Sequence, residues 1–81
     1  MAKTFHLTIA KVGENLYEGE ALLVTLPGAD GDFTVLADHE AFVTPLRAGV
    51  ARVKSAAGEE STIDIESGVA EISTNQVTVL L

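Results

Sequence analysis

The sequence contains no cysteine and no tryptophan, and only five of its 81 residues are basic. Without cysteine there can be no disulfide and no zinc site built on thiolates, and the chain suits a reducing compartment. Five basic side chains against twelve acidic ones give a net charge of −7. Nucleic acid binding needs lysine and arginine to neutralise phosphates, so the composition argues against a nucleic acid partner.

Long apolar runs and a leader segment are missing as well. No stretch reaches the roughly 18 apolar residues of a membrane-spanning helix, and the first residues lack the apolar core of a signal peptide. These absences predict a soluble protein whose association with a membrane is indirect, through a partner.

What the sequence does contain is an alternation of apolar and polar residues with a period of two. Phe5, Leu7 and Ile9 alternate with smaller or polar neighbours, and similar patterns recur over residues 22–26, 62–66 and 76–81. Such alternation places one row of side chains on a core and the other row toward water. Turn signals at short intervals predict an all-β sandwich or barrel that forms one domain over residues 1–81. Helix is limited to a possible single turn over residues 38–41, capped by Asp38.

Motifs for catalysis or cofactor binding are largely absent. Neither common glycine-rich phosphate loop occurs, and the calcium-loop spacing begun by Asp30 and Asp32 fails at Thr34 and Val35. His39 stands between two carboxylates, as a general base could, but no activated nucleophile lies near it in the sequence. His6 falls on the polar row of its strand, where a surface histidine is expected. We therefore expect no catalytic residue, no cofactor and no metal site.

Acidic residues concentrate around one turn and the loop that follows it. Asp30, Asp32, Asp38 and Glu40 surround His39 in a segment rich in glycine and proline. Carboxylates on loops of a rigid β scaffold suit charge-assisted hydrogen bonds to arginine or lysine of a partner. The alternative is that these charges are simply solvated. The sequence thus indicates an acidic tip at this end of the domain, and both interpretations of it, binding and solvation, stay open.

A series of short motifs in a fixed order resembles the epsilon subunit of the bacterial F-type ATP synthase. The motifs are FHL at 5–7, EGE at 18–20, LPGADGDF at 26–33, VL at 35–36, His39, Leu46, GV at 49–50, SGV at 67–69 and NQVTVL at 75–80. The resemblance covers essentially the whole chain. It implies the N-terminal domain of that subunit, a ten-stranded β-sandwich of two antiparallel sheets, without the helical hairpin that follows it in the family.

The resemblance also implies a function and partners. The family's sandwich is a non-catalytic rotor part of the central stalk, which joins the gamma subunit to the membrane c-ring. It would lie peripherally at the cytoplasmic face of the bacterial inner membrane. Without the hairpin, no inhibitory role and no nucleotide binding are expected.

Residues can be assigned to each partner from the same resemblance. The c-ring would be faced by Asp30, Asp32, Asp38, His39 and Glu40, and the gamma subunit by Lys11, Phe42 and Thr44. The chain departs from the family at Ala37-Asp38, where Pro-Gly usually precedes the histidine. Two alternatives stay open: a lipoyl- or biotinyl-type carrier domain, although no lysine has the required setting, and a sandwich that binds a small ligand.

Overall fold

The computed structural model describes residues 3–38 and 40–81, and every regular element in this part of the chain is a strand. The strands are β1 (Phe5–Lys11), β2 (Glu14–Gly28), β3 (Gly31–Leu36), β4 (Phe42–Leu46), β5 (Gly49–Ser55), β6 (Glu60–Ile65), β7 (Gly68–Ser73) and β8 (Gln76–Leu80). The all-β prediction is confirmed. Over the same residues there is no helix of the length and apolarity needed to traverse a bilayer.

Strand β2 organises the fold because it is 15 residues long and takes different neighbours along its length. Ala21 is paired with Phe5 of β1 and with Ser55 of β5, so these two strands lie on opposite edges of β2. Val24 is likewise paired with β3 on one edge and with β5 on the other. Strands β1 and β3 therefore follow one another along the same edge of β2.

The remaining pairings continue the sheet until it folds back on itself. Hydrogen bonds connect the strands in the order β1-β8-β7-β4-β2-β5-β6, with β3 and β1 also paired to β2. Strands β1 and β8 are parallel, and every other pair is antiparallel. One half of the sandwich, here called the β5 half, contains β3, the end of β2, β5 and β6. The other, the β8 half, contains the start of β2, β1, β8, β7 and β4.

The expected count of ten strands in two separate sheets is not what the structure has. The described residues form eight strands in one continuous hydrogen-bonded sheet. The physical reason is β2, which runs without a break from the β8 half into the β5 half and joins the two.

The core lies between the two halves and is built almost entirely from aliphatic side chains. Its buried members are Phe5, Leu7, Ile9, Ala21, Val24, Leu26, Val35, Leu46, Ala51, Val53, Ile65, Ala70, Ile72, Val77 and Val79. No polar or charged side chain is buried among the described residues. Burying each large apolar side chain contributes about 1.5–3 kcal/mol, so this shared core holds the two halves as one body.

An irregularity in β2 keeps Leu22 out of the core. The register against β5 shifts between Ala21 and Leu23, so Leu22 sits at a bulge. A bulge adds one residue to a strand and changes the side to which the following residues point. Ala21 and Val24 are buried while Leu22 is only half-buried. A strict alternation over residues 22–26 would instead put Leu22 in the same inward row as Val24 and Leu26, both of which are buried.

Candidate functional site

The acidic residues predicted to form one tip lie at the two ends of β3. Asp30 belongs to the turn before β3 and Asp32 is its second residue, whereas Asp38 and Glu40 follow the strand's last residue. At roughly 3.3 Å per residue, the length of β3 alone separates Asp32 from Asp38 by about 13 Å or more. His39 lies outside the described residues. The acids therefore line one edge strand, which pairs only with β2 among the described residues.

Arg47 lies beside Asp32 at the first acidic end of β3, although the sequence analysis did not assign it to the site. Its guanidinium lies 3.6 Å from the carboxylate of Asp32, and both side chains are more than half exposed. Two backbone hydrogen bonds fix this proximity: Arg47 N–H donates to the Pro27 carbonyl at 2.9 Å, and Ala29 N–H donates to the Pro45 carbonyl at 3.1 Å. The β4–β5 connection thus crosses the β2–β3 turn. Only a three-dimensional pairing, not sequence proximity, brings Arg47 to Asp32.

We expect the Asp32–Arg47 pair to stabilise the fold only weakly. Both groups are exposed, so water screens the attraction, and a coupling free energy below about 1 kcal/mol is expected. A double-mutant cycle with Asp32→Asn and Arg47→Gln, followed by urea denaturation, measures it directly. A coupling above about 2 kcal/mol would show that the pair is a structural element of the turn rather than a surface contact.

At the second acidic end, Asp38 pairs with Lys3. The Lys3 ammonium donates to a carboxylate oxygen of Asp38 at 2.9 Å. This hydrogen bond, together with the negative charge of Asp38, raises the pKa of Lys3 above its ordinary 10.5. Asp38 itself has φ of 64°, in the left-handed region. An N-cap residue needs extended dihedrals, so the prediction that Asp38 caps a helical turn is wrong. The predicted turn over residues 38–41 includes His39, which lies outside the described residues.

The three residues predicted to face the gamma subunit are not neighbours. Lys11 ends β1 and lies 3.4 Å from Glu14, whereas Phe42 and Thr44 belong to β4, which is separated from β1 by β8 and β7. Phe42 is half-buried against the core, with its ring 5.6 Å from that of Phe33 in an edge-to-face arrangement. Thr44 is half-buried on the same side of β4. The residues of β4 that point outward are Val43 and Pro45.

Those outward residues belong to an apolar surface that sequence reasoning missed. It is here called the β8 patch and consists of Ala10, Val43, Pro45, Val69 and Leu80. Register pairs place Pro45 beside Val69, Val69 beside Leu80, and Leu80 beside Ala10, in one row across four strands. Val43, Val69 and Leu80 are 65%, 44% and 59% exposed. The signal was present in β4, where Val43 and Pro45 alternate with the inward residues.

Glu71 borders the β8 patch, and a further charged cluster lies at His6, four residues along β1 from Ala10. Glu71 is the register partner of Val43, and His6 lies on β1 beside Glu20. The His6 ring is 3.3 Å from Glu20 and 3.6 Å from Glu18, and the Thr4 hydroxyl donates to Glu20 at 2.9 Å. His6 is thus a partly exposed surface residue, as its place in the alternation predicted. Among the described residues, no cluster of three or more potential metal ligands is present.

Comparison with known proteins identifies the family of this fold. A family model described as "ATP synthase, Delta/Epsilon chain, beta-sandwich domain" matches residues 4–81. The ATP synthase epsilon chain of Caulobacter vibrioides is 40% identical over 80 residues, a match that covers 99% of this chain and 91% of that relative. The epsilon chain of Desulforapulum autotrophicum is 39% identical over 80 residues, but the chain spans only 59% of its length. Several other epsilon chains are matched over a similar share, between 51% and 57% of their length.

Solved structures agree with the sequence comparison. A chain in the cryo-EM structure of the Euglena gracilis mitochondrial ATP synthase, described as OSCP/F1/c-ring, superposes with a TM-score of 0.88 at 25% identity, covering 95% of this chain and 49% of that one. A chain of the Tetrahymena thermophila mitochondrial ATP synthase central stalk and c-ring shares the fold, with a TM-score of 0.76 at 9% identity over 96% of this chain and 63% of that one. The chain therefore belongs to the family of ATP synthase delta and epsilon chains, of which it contains the β-sandwich domain.

Proposed function

We propose that this domain is a non-catalytic rotor part of an F1Fo proton-translocating ATP synthase, joining the gamma subunit to the c-ring in the central stalk. In this role it would transmit rotation and so link proton flow to ATP synthesis. It would act without a cofactor and without binding nucleotide, peripherally at the cytoplasmic face of the bacterial inner membrane.

The observation that carries the proposal is the β8 patch. Its five apolar residues form one contiguous surface on the outside of a sheet whose core is already filled. Contiguous apolar surface on a small domain commonly marks a protein interface. We assign the β8 patch to the gamma subunit. The earlier candidates Lys11, Phe42 and Thr44 would then border or support this contact rather than form its centre.

A rigid body is what such a role requires. Torque passes between two partners only if the part between them does not deform. The described strands share one hydrogen-bonded sheet closed over an apolar core, and no buried side-chain polar atom in the described part of the chain lacks a partner. Sheets paired in this way, with dense cores, open rarely compared with loops.

The acidic edge supplies a second surface on the same body. We assign the edge of β3, with Asp30 and Asp32 at one end and Asp38 and Glu40 at the other, to the polar loops of the c-ring. The assignment also includes His39, which lies outside the described residues. Basic groups on those loops would compete with Arg47 for Asp32 and with Lys3 for Asp38. Because both intramolecular pairs are exposed, exchanging them for intermolecular pairs costs little.

Charge reversal along the β3 edge tests the c-ring contact. The double variant Asp32→Lys and Glu40→Lys is expected to weaken binding to detergent-purified c-ring, with gamma present, by about tenfold at low salt. The deficit should shrink as salt rises, because the Debye length falls from about 30 Å at 0.01 M to about 3 Å at 1 M. Binding would be followed by co-sedimentation or surface plasmon resonance.

The matched control carries the same change of charge elsewhere. Glu59→Lys and Glu66→Lys alter two exposed residues that flank β6, away from β3, and should leave c-ring binding unchanged. Equal losses of c-ring binding in both double variants would show that the effect comes from the net charge of the domain and not from the position of the charges. If the β3 variant bound the c-ring as well as wild type at every salt concentration, the assignment of this edge to the c-ring would be wrong. If the wild-type domain did not bind gamma, the proposed rotor role would be wrong.

A further inference from the structure

Strand β6 lies at an edge of the sheet. Among the described residues it is paired with β5 alone. Its six residues include no lysine and no proline, and its register against β5 runs without a shift. Lysine, proline and bulges are devices by which natural edge strands avoid pairing with a further strand. The free side of β6 carries none of the three, so its backbone can accept another strand.

The turn between β5 and β6 determines which backbone groups face the free side. Ser55 N–H donates to the Glu59 carbonyl at 2.8 Å. Hydrogen-bonded and non-hydrogen-bonded pairs alternate along an antiparallel ladder. The residues one, three and five positions after Glu59 therefore turn their N–H and C=O groups away from β5. These residues are Glu60, Thr62 and Asp64.

The side chains on this free side are mostly acidic. Glu60, Thr62 and Asp64 are exposed and form the outer row of β6. Glu59 and Glu66 flank the strand at its two ends and are exposed as well. A strand added to β6 would therefore meet four carboxylates, two of them directly opposite its own side chains.

Cations on the neighbouring elements lie farther from an added strand. Lys54 is the register partner of Glu60, and Arg52 stands two residues before it on β5. At about 4.8 Å per strand spacing, an added strand is about 10 Å from β5, beyond the Debye length of about 8 Å at physiological salt. Lys11 is paired with Glu14, and the chain's other two cations pair with acids of the β3 edge. The carboxylates of β6 therefore dominate the charge that an added strand meets.

A cleft of about 440 Å³ opens beside the free side of β6, between the two halves of the sandwich. It lies between Asp64 and Glu66 on one side and the apolar side chains of Val12, Leu16 and Leu81 on the other. Leu16 and Leu81 are partly buried against the core, whereas Val12 is 99% exposed. Every second side chain of a strand points to the inner side of its sheet. The inner positions of an added strand would therefore point toward this cleft and suit apolar side chains.

We infer that the free side of β6 binds an extended basic segment of another protein as an additional antiparallel strand. The segment exchanges backbone hydrogen bonds with Glu60, Thr62 and Asp64, a mode known as β-augmentation. Its residues opposite Glu60 and Asp64 are lysine or arginine, which form charge-assisted hydrogen bonds with the carboxylates. The residues between them are apolar and point toward Leu16 and Leu81.

The same charges disfavour a second copy of the domain as the occupant. Two β6 strands paired antiparallel about Thr62 would place Glu60 of each copy directly opposite Asp64 of the other. Like charges that face each other across two strands are destabilising, and two such pairs would form at once. The edge thus repels its own copy and attracts a basic strand.

The test uses the whole domain, labelled with ¹⁵N, and a synthetic peptide of about nine residues, long enough to span β6. Lysine and valine alternate in the peptide, with threonine at the centre. Saturating peptide is expected to slow solvent exchange of the Glu60, Thr62 and Asp64 amides by about tenfold or more, because these amides become hydrogen-bonded. The amides of Ser61 and Ile63 already bond to β5 and should exchange at their former rates.

Two control peptides separate strand pairing from simple attraction between charges. A peptide with glutamate for every lysine should bind at least about tenfold more weakly. A peptide of the original composition, with all lysines placed before all valines, keeps the charge but loses the alternation. It should bind at least about fivefold more weakly and leave the exchange of the three amides unchanged.

Variants of the domain locate the contact. Glu60→Gln with Asp64→Asn should weaken binding of the alternating peptide by about fivefold or more. Glu18→Gln with Glu20→Gln removes the same charge from two exposed positions of β2 and should leave binding within about twofold of wild type.

Thr62→Pro tests the backbone directly. It removes one N–H from the free side, where an edge strand tolerates proline, and should weaken binding by about tenfold or more. Thermal unfolding would show whether this variant is folded, and the charge variants test the same contact without a change of backbone.

Three results would overturn the inference. The first is binding of the alternating peptide, or its absence, without slowed exchange at the three amides. The second is equal losses in the two pairs of charge variants, and the third is wild-type affinity of a folded Thr62→Pro variant. The gamma and c-ring assignments use the β8 patch and the β3 edge, so these outcomes leave them unchanged.

Discussion

Replacing Phe5 with alanine is expected to lower the free energy of unfolding by about 3–5 kcal/mol. Phe5 is 1% exposed and is the largest side chain in the core, where it opens the inward row of β1. Removing its ring takes away the transfer free energy and leaves a cavity. Strand β1 is bonded to both β2 and β8, so the surrounding backbone has little freedom to collapse into that cavity.

The loss is large relative to the whole stability of the domain. Domains are typically stable by about 5–15 kcal/mol, and a chain of this size is expected at the low end. Urea denaturation followed by far-ultraviolet circular dichroism would measure the change. The matched control is Val12→Ala in the β1–β2 turn, since Val12 is 99% exposed, and a change within about 0.5 kcal/mol is expected there. A cost below about 1 kcal/mol for Phe5→Ala would contradict the assigned core.

The alternation in the sequence was sufficient to predict most of the core. Phe5, Leu7 and Ile9 are all buried, as are Val77 and Val79. Period-two alternation succeeds here because each strand is buried on one face only. The pattern fails where the backbone is irregular, since the bulge at Leu22 moves the following residues by one position and no residue type marks it.

It was harder to predict which residues of β4 face the core than to predict the strand itself. Val43 and Phe42 are both apolar, and the sequence does not say which of them faces inward. Packing decides it: the Phe42 ring contacts the Phe33 ring and the core, which leaves Val43 exposed. The β8 patch depends on this choice and also on pairings between distant strands. For that reason the sequence alone indicated residues of β4 but not the surface they help to form.

Asp38 shows how a departure from the family pattern can keep the backbone conformation. The resemblance implied glycine at this position, and φ of 64° at Asp38 lies in the region that glycine adopts freely. Aspartate is one of the few other residues that tolerate it, and here its carboxylate is also paired with Lys3. The sequence alone suggested a helix cap because aspartate favours both situations.

Two glutamates in the β8 patch are expected to abolish the contact with gamma. Val69→Glu with Leu80→Glu places two charges side by side, since these residues are register partners, in what we propose to be the centre of the interface. Burying unpaired carboxylates costs several kcal/mol, so the affinity for isolated gamma subunit should fall by about a hundredfold or more, equivalent to about 2.8 kcal/mol. Isothermal titration calorimetry or surface plasmon resonance would measure it.

The folded state should survive these substitutions, because both side chains are exposed in the free domain and surface changes usually alter stability by less than about 0.5 kcal/mol. The matched control is Val12→Glu with Leu36→Glu, two exposed apolar residues outside the β8 patch. It should bind gamma within about threefold of wild type. If the patch variant also binds gamma within that range, the gamma contact lies on another face of the sandwich.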